Sequence, residues 1–333
     1  MSALEPGGWE AHLSEEQRSH LNDKLKPDLR LAMQECLRIE DRDGDGKTIP
    51  FALNRAQVEL HILWEKIRRF QYEMSGGTSF GPVRIVVLKG RQVGCSTYIQ
   101  GRFFLEAQWT PNMSVLLMAQ KKDAAQNIFR KTRFNFTEWN PARREFRRPT
   151  STGRPPARGG VEWPNNSRIV VDTAGGNNSA RSYTFQRVHL SEYAHFESFT
   201  NVGPLDDAIP KNGSLIVEST AGGASGPFYD TWQGALTFDE VVEAYANQDG
   251  ETLTRWNGFF RFFFPSYKDP GYRLPVRDWQ REHIANTLDD DEDFEGELEL
   301  LRLGEQDGID RAEMLDHLAW RREKIKGYAT KPG

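Results

Sequence analysis

Six short apolar runs, set between stretches with helical spacing, organise this chain. They are Arg84–Leu88 (RIVVL), Ser114–Ala119 (SVLLMA), Arg168–Asp172 (RIVVD), Arg187–Leu190 (RVHL), Ser214–Glu218 (SLIVE) and Gly258–Phe264 (GFFRFFF). Short length with β-branched or aromatic content predicts buried strands. Helical patterns cover residues 11–40 (interrupted near Pro27), a segment from about Ile49 to Phe70, Tyr98–Trp109, Lys122–Trp139, Asp278–Leu288 and Asp310–Lys326. Strands alternating with helices predict an α/β fold with a doubly wound, mostly parallel sheet. No internal repeat is visible.

Composition narrows the picture only a little. The chain has 333 residues and a net charge of −5, with ordinary apolar and charged fractions. Such a length accommodates one large domain or two. Two cysteines, Cys36 and Cys95, make no disulfide framework and fit a reducing compartment. No run is long and apolar enough to span a membrane, and MSALEPGGWE lacks a signal-peptide pattern, so a cytosolic protein is expected. Net acidity does not favour general nucleic-acid binding, although local basic clusters remain. The acidic stretch Asp289–Glu299 reads as a solvated loop and helix start. Asp41–Gly46 resembles the opening of a calcium loop, but Ala52 stands where the twelfth-position glutamate is required, so a tight turn is expected.

The first strand runs into Lys89-Gly90-Arg91-Gln92-Val93-Gly94-Cys95-Ser96-Thr97, and a helix follows. Strand, basic glycine-bearing loop and helix start are the order that wraps backbone N–H groups around phosphates. The usual phosphate loop reads G-x-x-x-x-G-K-S/T. Gly94 and Ser96 match, whereas Lys89 replaces the first glycine and Cys95 replaces the lysine. Lys89 enters the same loop from its other end, and a long flexible ammonium acts as a point charge. Taken alone, the stretch fits either a nucleotide site or a strand-to-helix turn with incidental basic residues.

Other candidates follow in chain order. Gln57 is either an exposed helix residue or an adenine reader, since an amide offers a donor and an acceptor to one base edge. Residues 140–164 are rich in Arg, Pro and Gly, including Arg143, Arg144, Arg147, Arg148, Arg154 and Arg158. They form either a solvated loop or a surface for DNA phosphates. Glu192 follows the fourth strand, on the ligand-binding edge of an α/β sheet, where it can orient or deprotonate a water. An aspartate is expected just before such a glutamate to help hold magnesium, and here it is Ser191, whose role stays open. His189 and His195 flank this segment as structural residues. Ser219 and Thr220 open a small-residue turn after the fifth strand, which either hydrogen-bonds the catalytic glutamate or the γ-phosphate and moves as hydrolysis proceeds, or is a simple turn.

In this order the segments IPFALNRAQ, KGRQVGCST, HLSEYAHF, VESTAGG, SYKDPGYR and LAWRREKI resemble the ATPase domain of the large terminase subunit, the DNA-packaging motor of tailed bacteriophages. They span roughly residues 45–326. The resemblance implies an ASCE-type P-loop ATPase core at 49–275, an N-terminal helical segment or lid at 1–48, and a helical linker at 276–333. Family members continue into a nuclease domain, so this sequence is expected to carry the motor without the nuclease.

The same resemblance implies the site. Gln57 would read adenine, Lys89 would bind phosphates, and Arg91 would be the loop arginine. Gly90, Gln92, Val93, Gly94, Cys95 and Thr97 complete the phosphate loop. Ser96, with Ser191 and Glu192, would hold Mg2+, and Glu192 would be the catalytic carboxylate. Ser219 and Thr220 would couple hydrolysis to movement. Arg181 matches an arginine finger that enters a neighbour's site, and whether it or Arg91 acts in trans stays open. Implied ligands and partners are ATP, double-stranded DNA, further copies in a ring, the small terminase subunit and the portal, in the host cytoplasm. Two alternatives stand beside this reading: a non-hydrolysing nucleotide-binding assembly module, and another nucleic-acid motor such as a helicase.

Overall fold

The computed structural model describes residues 28–41, 46–138, 160–174, 184–196, 205 and 208–329. Strands β1 (Arg38–Glu40) and β2 (Thr48–Pro50) pair antiparallel on their own. The remaining strands are β3 (Val83–Lys89), β4 (Ser114–Ala119), β5 (Gly160–Glu162), β6 (Arg168–Thr173), β7 (Arg187–Ser191), β8 (Ser214–Ser219) and β9 (Phe260–Phe264). They form one sheet in the order β5–β6–β4–β7–β8–β3–β9. The pairs β3·β8, β8·β7, β7·β4 and β4·β6 are parallel, and β5 closes one edge antiparallel to β6. The mostly parallel α/β sheet expected from the apolar runs is therefore present, with β5 as an addition.

Every residue of β4 and β8 is buried, as befits strands covered on both faces. The helices Cys95–Trp109 and Lys122–Thr137 pack on β4 and β6. Val86, Leu116, Val188, Leu190 and Val217 share a core with Phe185 and Phe228. Parallel pairing brings the C-terminal ends of β3, β7 and β8 to one edge. Leu88 is in register with Ser219, and Ser191 with Glu218. That edge is where open α/β sheets bind ligands.

The helical reading of residues 11–40 needs correcting at its end. A helix capped by Asp28 stops at Cys36, and Arg38–Glu40 extends to pair with β2. The next helix begins at Arg55 rather than near Ile49, because Asn54 caps it and β2 occupies Thr48–Pro50. Helices Pro227–Gly234, Phe238–Ala246 and Gly250–Arg255 have no counterpart in the periodicity. The second starts from a capping box, Thr237 with Glu240, a signature readable in sequence.

The chain groups into two compact units. One comprises the described residues up to Leu88 and Gly94–Phe262; the other comprises Lys89–Val93 and the residues from Phe263 onward. In the second unit, helices Asp278–Asn286, Glu297–Gln306 and Arg311–Ala329 carry two small cores, around Leu318 and around Met314. The acidic run is partly structural there. Glu297 is fully buried and accepts from Arg322 at 2.5 Å and 3.0 Å, while its backbone N–H donates to Asp289 at 2.7 Å.

Candidate functional site

Gly94 is the N-cap of the helix Cys95–Trp109, with φ 85°. That left-handed backbone favours glycine, and a Cβ here would stand 2.6 Å from Gln57 Nε2. Gln57 is 4% exposed, so it is no ordinary surface residue. It is the third residue of the helix Arg55–Met74. There its Oε1 accepts from Asn54 N at 2.9 Å, and its own N–H donates to Asn54 Oδ1 at 3.0 Å. Its Nε2 donates to the carbonyl of Gly94 at 2.9 Å. The side chain offered as an adenine reader is therefore, in this state, a tie between a helix start and the loop glycine. Cys95 is buried, and Thr97 Oγ1 accepts from Lys131 Nζ at 3.3 Å.

Residues Lys89–Val93 are held within their own unit. Lys89, the last residue of β3, is 7% exposed, while Arg91 and Gln92 are exposed. Gln92 adopts φ 60°, a sparsely populated region for a non-glycine residue. Tyr272 donates its hydroxyl to the carbonyl of Arg91. Gly90 leaves room for that ring, since a Cβ there would stand 3.3 Å from the Tyr272 hydroxyl. Tyr272 in turn lies edge-on to Trp320 at 4.8 Å, and its carbonyl is 2.8 Å from His317 Nδ1. A carbonyl only accepts, so the His317 proton sits on Nδ1. Burial lowers the His317 pKa.

At the sheet edge, two expected residues meet on one that sequence reasoning passed over. Ser96 Oγ donates to Glu218 Oε1, and Ser191 Oγ donates to the same oxygen at 3.0 Å. His189 Nε2 lies 3.2 Å from it. Among the described residues, neither His189 nitrogen makes an aligned hydrogen bond. Glu218 and His189 are both fully buried. Ser96 and Ser191 are hard oxygen donors gathered at a carboxylate. This fits magnesium, which binds through one or two carboxylates plus phosphate oxygens and water. Among the described residues no three His, Cys, Asp or Glu side chains are placed to hold a metal ion.

Glu192 follows directly with φ 58° and ψ 44°, a strained conformation of the kind that collects at functional sites. Its carboxylate is 37% exposed and 3.9 Å from His195 Nε2. The same histidine nitrogen is 3.3 Å from Thr220 Oγ1. A Cβ on Gly222 would stand 2.8 Å from Ala194 Cβ. The turn after β8 therefore lies against the Glu192–His195 turn. Ser219 is fully buried at the end of β8. Burial pushes the Tyr193 hydroxyl up to about 12.

The helix that leaves the loop is anchored by a charge network around the buried Arg102. Arg102 lies 2.7 Å from Glu65, 2.8 Å from Glu106 and 4.3 Å above the Trp64 ring. It also donates to Tyr98 at 3.1 Å, and Arg187 of β7 reaches Glu106 at 2.5 Å. Burial alone would raise both carboxylates. The guanidinium groups of Arg68 and Arg102 at Glu65, and of Arg187 and Arg102 at Glu106, outweigh it and bring each to about 2. His61, 3.0 Å from the Tyr98 hydroxyl, is lowered to about 4 by burial and by Arg102. Arg181 and the arginines between 143 and 158 lie outside the described residues.

No known family profile matches the chain, and no curated protein matches it. The chain is similar to solved structures of phage large terminases. Against the HK97 bacteriophage large terminase the identity is 16% and the TM-score 0.49, over 88% of this chain and 54% of that one. Against the Thermus phage P74-26 large terminase ATPase domain the values are 16% and 0.43, over 71% of this chain and 89% of that one. A large terminase from a thermophilic bacteriophage gives 9% and 0.36, over 67% and 49%. The chain thus spans about half the length of the HK97 protein.

Proposed function

We propose that this chain binds and hydrolyses ATP and that hydrolysis drives movement of double-stranded viral DNA. One observation carries the reading. The hydroxyls of Ser96, in the first turn of the helix after the glycine loop, and of Ser191, just before Glu192, converge at the ligand-binding edge of a parallel sheet. The sheet alone brings the ends of β3, β7 and β8 together; what favours a nucleotide site over a mere strand-to-helix turn is that both ends carry hydroxyls turned to one carboxylate.

Each residue then has a task. Lys89 and the N–H groups of the loop bind the phosphates, and the helix N-terminus favours their charge. Glu192 orients the attacking water and accepts its proton. Arg91 or Arg181 stabilises charge on the transferred phosphoryl group, a contribution of about 10³–10⁵ in rate for such arginines. Gln57 reads adenine once its tie to Gly94 is exchanged for the base. Magnesium, held by Ser96, Ser191 and Glu192, would neutralise phosphate charge when bound. Contact between the 219–223 turn and the Glu192–His195 turn gives hydrolysis a route to move β8's end. The order of motifs along the sequence supports the packaging motor. In that role DNA, further copies of the chain, a small subunit and a portal are the partners.

The test is magnesium-dependent ATP turnover against protein concentration. The wild type should turn over slowly, with a rate rising faster than linearly with concentration. Lys89→Ala and Glu192→Ala should each lose about 10²–10⁴-fold, and Cys95→Ala should keep the wild-type rate. Equal rates in all variants would remove the assignment. ATP binding without turnover in the wild type would favour a nucleotide-binding assembly module instead.

A further inference from the structure

Position 191 holds a serine where a nucleotide motor is expected to place an aspartate, yet the carboxylate is not missing from the site. We infer that Glu218, on the neighbouring strand, supplies the charge that position 191 lacks and holds the divalent cation of a metal–nucleotide complex together with Ser96. This rests on the nucleotide-binding reading above.

The register makes the substitution possible. Strands β7 and β8 are parallel neighbours, and Ser191 pairs directly with Glu218. A carboxylate moved from one residue to its partner across a ladder stays at the same height on the sheet edge, about 5 Å away. Glu218 also uses that height. Its Oε1 accepts from Ser96, the hydroxyl of the phosphate-loop helix, and from Ser191 at 3.0 Å. A serine that donates its proton to a carboxylate keeps its lone pairs for a cation, so the pair is arranged as a metal ligand with its acidic support.

Burial gives an independent reason. Glu218 is fully buried within the apolar run SLIVE, where a valine would satisfy the strand. A carboxylate there is costly unless its charge is used or bonded. His189 sits two residues before Ser191 on the same face of β7 and points Nε2 at Glu218 Oε1 from 3.2 Å. Its ring is fully buried, and neither nitrogen makes an aligned hydrogen bond among the described residues. Two acids thus take separate roles, which revises the cation assignment above: Glu218 takes the cation over from Glu192, and Glu192, turned out of the strand by its left-handed backbone, serves the water alone.

The experiment measures ADP binding by titration calorimetry with and without Mn2+, with Mn2+ spin resonance as a second readout and thermal melts as a folding check. The proteins are the wild type, Glu218→Gln and the exchange variant Ser191→Asp with Glu218→Ser. In the wild type Mn2+ should strengthen ADP binding. Glu218→Gln, which keeps an oxygen to accept the serine hydroxyls, should lose that metal-dependent gain, read in each protein as the ratio of ADP affinities with and without Mn2+, by about 10- to 100-fold. The exchange variant should regain it. Unchanged metal dependence in Glu218→Gln would overturn the inference. So would loss in both variants, which would mark Glu218 as a purely structural tie. A wild type that binds no ADP under either condition would instead sink the nucleotide reading itself, and this inference with it.

Discussion

Two carboxylates, the partly buried Glu106 and the fully buried Glu218, illustrate opposite uses of the same chemistry. Glu106 is gripped by Arg102 at 2.8 Å and Arg187 at 2.5 Å, and its pKa falls to about 2. Glu218 Oε1 meets serine hydroxyls and faces a histidine ring. Guanidinium–carboxylate pairs are directional, two-pronged and permanently charged. They hold the helix Cys95–Trp109 to β7 as a fixed frame. Hydroxyls are neutral and rotate, so contacts at Glu218 can be exchanged for a ligand at little cost. The frame and the adaptable site share one helix, with Ser96 at its start and Arg102 and Glu106 further along.

The largest expected effect comes from dismantling the frame. Arg102 is 1% exposed and serves Glu65, Glu106, Tyr98 and Trp64. Replacing it with Met takes one of two guanidinium partners from each of Glu65 and Glu106, which keep Arg68 and Arg187, and removes the Tyr98 and Trp64 contacts, a loss of about 2–3 kcal/mol. Urea denaturation of Arg102→Met at neutral pH should show a loss of that order. Glu218→Gln, examined in the same way, should lie within about 1.5 kcal/mol of the wild type, because the amide oxygen still accepts hydroxyl bonds. Similar losses in the two variants would erase the distinction between frame and site.

A smaller effect reaches the frame through pH. His61 is held neutral in the folded protein, with a pKa lowered to about 4, whereas the unfolded chain protonates it near its ordinary value. The unfolded state therefore binds the extra proton first, and stability falls as pH drops from about 6.5 towards 4. Glu65 and Glu106 act lower down. Their contribution is present above the ordinary carboxylate range and is lost as pH falls towards about 2. Melting temperatures of His61→Gln should be flatter than wild type between pH 6.5 and 4 and parallel to it below. An unchanged slope in the upper window would contradict this placement of His61.

How much of this could be read from sequence depended on distance along the chain. The β-branched runs that became β3, β4, β6, β7 and β8 were legible because local pattern and tertiary burial agree there. β5 was not, since three residues carry no period, and its pairing with β6 is what makes it a strand. Gln57 was placed correctly on a helix, but its bond to Gly94 spans 37 residues and is invisible to spacing. Glu218 was passed over for a similar reason. Inside SLIVE it reads as the polar end of a strand, and its meaning comes from Ser191, 27 residues earlier, and Ser96, 122 residues earlier. The TFDE capping box at 237–240, the Asp249 cap on the helix Gly250–Arg255 and the Asn54–Gln57 capping box were missed signals that are purely local.

The most direct test separates holding the nucleotide from attacking it. ATP binding by equilibrium dialysis and single-turnover hydrolysis would be measured on the wild type, Glu192→Gln and Lys89→Ala. Glu192→Gln should bind ATP like the wild type but not hydrolyse it, whereas Lys89→Ala should fail to bind. Wild-type binding and hydrolysis by Lys89→Ala would contradict the proposed motor site, because the displaced lysine would then have no part in it.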